Sequence, residues 1–135
     1  MAERKSFSRD LLATKIKDAI PLQNHWETFI DWLLEKTELF AKKYRYTLTA
    51  RIMNLAFDIQ EKIIKARFNS EKLEILNCLS IDIEIMNSFM RRCYNKKLLS
   101  VKGYEYACKQ LEEAGKMVSG WRKYQEEKEN LDEST

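Results

Sequence analysis

Lys42, Lys43, Arg45 and Arg51 fall within ten residues that contain no acid. Guanidinium and ammonium groups at that density suit one task, holding phosphates or carboxylates by charge-assisted hydrogen bonds. A turn joining two packed helices needs polar residues, but it does not need four cations and two tyrosines, Tyr44 and Tyr46. A second acid-free stretch, residues 85–104, carries Arg91, Arg92, Lys96, Lys97 and Lys102. The windows 41–57 and 85–104 hold +4 and +5, and the chain totals +3, so everything else sums to −6. Cations near the C-termini of helices are favoured by the macrodipole, which accounts in part for Lys42, Lys43, Arg91 and Arg92. It does not account for Arg45 and Arg51, which fall at the start of a helix, the unfavourable end. Tyr44, Tyr46 and Tyr94 add rings that could stack on unpaired bases. Patterning alone leaves two partners open, a nucleic acid and an acidic protein surface.

Catalytic chemistry has little to work with. His25 is the single histidine, and its place near the start of a helix suits packing or capping better than proton transfer. Cys78, Cys93 and Cys108 are odd in number and form no C-x-x-C pair, which points to free thiols in a reducing cytoplasm rather than a disulfide framework or a zinc site. Asp58 and Glu61 stand three apart, but the Glu-x-x-His pairs of di-iron bundles are missing. There is no glycine-rich phosphate loop and no nucleophile elbow. We expect a non-enzyme without metal or cofactor. No run of about 18 apolar residues offers a membrane span, so a cytoplasmic protein with no membrane partner is expected.

The elements that must position these cations follow from punctuation and period. Three glycines and one proline in 135 residues leave few places to turn, and argue for one domain of long helices. Helix one is expected from about Asn24 to Lys43, on the stripe Trp26, Phe29, Ile30, Leu33, Thr37 and Phe40. Helix two should open at Thr47, its hydroxyl accepting from a backbone N–H, and run to about Ala66 on Leu48, Ile52, Leu55, Ile59 and Ile63. A second apolar row, Met53, Phe57 and Ile64, flanks that stripe. Helix three spans about Glu71 to Asn95, with Ser70 as its cap and the widest apolar coverage in the chain. The alternation Ile81-Asp-Ile-Glu-Ile85 could be read as a strand, but good helix formers flank it and nothing bounds it. Helix four opens at Ser100 and reaches about Tyr124, with Ala107, Ala114 and Gly115 suggesting close approach of a neighbouring backbone. Residues 1–21 form an N-terminal extension that ends at Pro21 as a stop, its order left open, with a short helix allowed after Ser8. Residues 22–125 make the bundle, and the acidic tail 126–135 is expected to fray.

Four helices with short links imply an all-α, up-down-up-down four-helix bundle. In that topology the first and third connections share one end, so the two basic windows become one pole. Helices two and three carry more apolar surface than a single core face needs. Either the core is imperfectly patterned or the chain forms a homo-oligomer, and the second is expected.

Two stretches carry a family resemblance. The run from Leu34 to Asp58, with Phe40-Ala-Lys-Lys-Tyr-Arg-Tyr-Thr-Leu-Thr-Ala-Arg51 at its centre, resembles the helix-one/helix-two signature of the accessory variability determinant (Avd) proteins of diversity-generating retroelements. Lys97-Leu-Leu-Ser-Val-Lys-Gly-Tyr-Glu-Tyr-Ala107, then Leu111-Glu-Glu-Ala-Gly-Lys-Met-Val-Ser-Gly-Trp121, is similar to that family's fourth helix. Four-helix proteins encoded in ribosomal-RNA intervening sequences share the architecture. The Avd resemblance implies a bundle protomer in a homopentameric barrel. It further implies binding to a reverse transcriptase and to template RNA, or DNA, in support of mutagenic cDNA synthesis. The matched motif positions are Arg45, Thr47, Leu48, Arg51, Asp58, Leu99, Ser100, Tyr104, Gly115, Gly120 and Trp121. The family's Phe-Pro at the end of helix one stands here as Phe40-Ala41, which leaves that helix free to run on.

The functional expectation is a non-catalytic accessory protein. Its nucleic-acid contacts, assigned from charge geometry, are Lys42, Lys43, Arg45, Arg51, Arg91, Arg92, Lys96 and Lys97. The alternatives are a homo-oligomeric protein-binding scaffold without nucleic acid and a four-helix protein of the intervening-sequence type.

Overall fold

A computed structural model describes residues 19–134, and the short helix allowed after Ser8 lies outside them. Four helices follow in order: α1 (Ala19–Glu38), α2 (Leu48–Phe68), α3 (Lys72–Asn95) and α4 (Val101–Ser134), with one 3-10 turn, Lys42–Tyr44, between α1 and α2. Each helix packs on the next, and α1 closes against α4. This is the expected all-α four-helix bundle, without strands among the described residues.

The core follows alternating steps of three and four. Buried positions are Ile52, Ala56, Ile59, Ile63 and Ala66 on α2, then Leu76, Leu79, Ile83, Met86, Met90 and Cys93 on α3. On α4 they are Ala107, Leu111, Ala114, Val118 and Trp121, and α1 adds Leu22, Trp26, Phe29, Ile30 and Leu33. A 3.5-residue average keeps one seam facing the bundle axis along the whole helix, the packing of near-antiparallel helices. Burying each Leu or Ile there contributes about 1.5–3 kcal/mol. Polar bonds between helices help to fix their register. Trp26 Nε1 donates to the Ala56 carbonyl at 2.9 Å, and His25 Nε2 donates to the Gln110 carbonyl at 2.8 Å.

Several boundaries differ from the sequence expectation. Pro21 stops nothing: it sits in the first turn of α1, where a missing N–H costs no intrahelical bond. Helix one does not run on. It tightens through Leu39 N–H to Lys36 O and Phe40 N–H to Thr37 O, both 3.1 Å. Ala41 then turns extended (φ −57°, ψ 141°), the backbone a proline would impose. Asn69, not Ser70, organises the next turn, its Oδ1 accepting the Glu71 N–H at 2.8 Å. Ser100 is the expected cap, accepting the Gly103 N–H at 3.0 Å. Gly115 gives no close approach, since a Cβ there would meet nothing within 4 Å. Ala107 and Ala114 are fully buried. Beyond Tyr124, α4 stays helical to Ser134. Gln125 is buried, and Lys128 and Glu129 share a cleft with Phe68 and Asn69 of the α2–α3 turn.

Candidate nucleic-acid interface

The turn after α1, the start of α2, the end of α3 and the link into α4 meet at one end of the bundle. Arg51 projects from the first turn of α2, and Arg92 from the last turn of α3, with Lys96 just beyond it. All three line one surface cleft of about 570 Å³, together with Tyr44 and Tyr46 from the first connection. Phe89 and Arg92 stand three apart on α3, with Lys96 four residues further on just past its end, and they line the cleft opposite Leu48 and Arg51 of α2. No carboxylate lines this cleft.

Lys42 and Arg45 line a second cleft of about 440 Å³ on the α1 side of the turn, where Glu38 joins them. Lys43, Arg91 and Lys97 are exposed and line neither cleft. All eight cations are exposed, and none pairs with a carboxylate among the described residues. Ion pairs occur elsewhere, notably Lys62 with Asp82 between α2 and α3.

The backbone at the start of α2 adds to this electropositive end. Thr47 does not cap α2 as expected: its hydroxyl donates back to the Tyr44 carbonyl at 3.4 Å, and no side chain caps the helix. The first turn of α2 also holds no acid, so its positive dipole end stays uncompensated beside Arg51. At the end of α3, Leu98 N–H reaches Cys93 O (2.8 Å) and Lys97 N–H reaches Tyr94 O (3.0 Å). This Schellman closure puts Lys97 at φ 61°, where glycine is usual.

The three tyrosines read as stacking rings fare differently. Tyr94 already stacks on Tyr104, centroids 4.7 Å apart and planes 11° off parallel. The Lys43 ammonium stands 5.2 Å over the Tyr44 ring. Tyr46 is 86% exposed, with no ring partner among the described residues. Sequence reasoning missed Phe89 and Leu48 as walls of the cleft: Leu48 was read as part of the helix-two stripe, and Phe89 had no assignment of its own within the broad apolar coverage of helix three. Both are half-buried, at the flank of their helical stripes, and only the pairing of α2 with α3 reveals the gap between them.

A model of the bAvd-like family matches residues 20–125, from the start of α1 to the buried Gln125 of α4. The chain belongs to the bAvd-like family. No curated protein matches it, and no solved structure does. Several of the Avd-like motif positions turn out to be architectural: Leu99 and Trp121 are buried, Ser100 caps α4, and Tyr104 supports Tyr94. Arg45 and Arg51 are the cations of that motif, both exposed and without a carboxylate partner among the described residues. In this bAvd-like chain no helix among the described residues is long and apolar enough to cross a membrane.

Proposed function

We propose that this Avd-like protein is a non-catalytic accessory factor of a diversity-generating retroelement. Its basic pole contacts template nucleic acid, RNA in the first place, while the protein engages the reverse transcriptase and supports mutagenic cDNA synthesis in the cytoplasm. The observation that carries this reading is the meeting of Arg51, Arg92 and Lys96 in one cleft with no acid among its walls. Cations left without internal partners keep their full attraction for an external polyanion. Lys42, Lys43, Arg45, Arg91 and Lys97 extend the same surface.

We further propose a homo-oligomer, a pentamer by analogy with the Avd family. The isolated protomer leaves Phe57, Phe68, Ile81 and Ile85 exposed on α2 and α3. Repeating the basic pole around an assembly would multiply the phosphate contacts available to one strand.

The test is charge reversal. Arg51, Arg92 and Lys96, all changed to Glu, should abolish binding to template RNA in fluorescence anisotropy while leaving the melting temperature within a few degrees. Unchanged affinity would remove the proposal. Retained binding to the reverse transcriptase by the same variant would place the polymerase contact on another face.

A further inference from the structure

We infer that the Arg51–Arg92–Lys96 cleft receives one unstacked base of a single strand, so that this pole prefers single-stranded over duplex nucleic acid. The inference rests on the reading of the pole as a nucleic-acid surface. Its walls carry the first argument. A site for phosphate alone needs only donors, yet this cleft is walled by Phe89, Leu48 and the two tyrosines of the first connection. At about 570 Å³ the cleft has room for a single base.

The state of the rings carries the second. Tyr94 is covered by Tyr104 and Tyr44 has Lys43 above it, whereas Tyr46 stands open at the mouth of the cleft. An aromatic face next to three cations matches a base with its flanking phosphates. Bases within a duplex are stacked and paired, so only their phosphates and sugars could reach this pole. Single-strand affinity should therefore contain a part that duplex affinity lacks, and that part should depend on Tyr46.

The experiment compares three fluorescent ligands of equal phosphate number at one salt concentration: a single-stranded RNA, an abasic strand and a blunt-ended RNA duplex. The wild-type protein should bind the intact single strand about tenfold more tightly than either of the others. Tyr46→Ala should erase that gap without changing abasic or duplex affinity, and Tyr46→Phe should keep it. Because Tyr46 is almost fully exposed, neither change threatens the fold. Equal binding of intact and abasic strands would overturn the inference and leave the nucleic-acid reading standing. Failure of all three ligands to bind would remove both. Tighter binding of an acidic, tyrosine-containing peptide than of a strand of equal charge would assign the cleft to a protein partner, and would also overturn the inference.

Discussion

Single side chains settle where charge is spent inside this protein and where it is kept for a partner. Lys72 is buried and serves α2, its Nζ donating to the carbonyls of Ala66 (2.6 Å) and Arg67 (3.0 Å) at the helix end. Lys62 is spent on Asp82 across the α2–α3 seam. The hydrogen bond to that carboxylate holds the Lys62 ammonium above its ordinary 10.5, with burial opposing it more weakly. A pKa raised on folding adds stability that is complete below the unfolded value and lost as pH climbs through the folded one. Urea titrations should therefore show an alkaline decline starting above pH 10.5 that is shallower in Asp82→Asn. Identical alkaline limbs would show that this pair adds nothing to folding. Cys93 marks the opposite use of burial, its thiol pushed up to about 11 by desolvation, which keeps it inert within the seam. None of the eight cations of the basic pole pairs with a carboxylate among the described residues, though Lys43 stands over the Tyr44 ring.

At the scale of an element, the ends of the helices matter more than their interiors. Most seam residues of α1, and Ile52, Ile59 and Ile63 on α2, were legible from their three-and-four spacing, and so was the helical character of Ile81 to Ile85; the broad apolar coverage of α3 did not single out its seam. Ala56 was not legible, because its small side chain gives a weak hydropathy signal and Leu55 beside it drew the stripe instead; Ala66, between Lys65 and Arg67, was read only as the end of the helix. Ala41 shows why the end of α1 was misplaced. Tertiary packing of Phe40 turns the chain there, although alanine itself favours the helix. Lys97 shows the reverse, a local cost accepted at a helix end. A lysine in the left-handed region should cost about 1 kcal/mol relative to glycine. Lys97→Gly should raise the unfolding free energy by about that amount in urea denaturation, since the Schellman bonds use only backbone. A loss of stability would mean that the lysine side chain contributes packing that outweighs its backbone strain.

On the scale of the whole molecule, topology converts a weak net charge into a pole. The closure of α1 on α4 and the alternation of direction place residues 44–51 beside residues 88–96, a convergence no local pattern encodes. The sequence showed which residues were cationic and which turns they occupied. It did not show that Arg51, Arg92 and Lys96 share one cleft while Lys42 and Arg45 share another. The surplus apolar surface on α2 and α3 belongs to this scale too. Ile81 is 62% exposed and Phe68 is 74% exposed, unusual for large apolar side chains in a bundle this well seamed. Light scattering at micromolar concentration should give a multiple of the 16.1 kDa protomer, and Ile81→Glu with Phe57→Glu should shift the mass toward one protomer. A wild-type monomer would return those side chains to the role of ordinary exposed surface.

Salt dependence reports most directly on whether the pole meets phosphates. Each phosphate neutralised on a single strand contributes about −0.7 to the slope of log affinity against log salt. Replacing Arg51, Arg92 and Lys96 together with Gln should make the slope for single-stranded RNA shallower by about 2. An unaltered slope, or a wild-type slope near zero, would contradict a phosphate-binding pole at this end of the bundle.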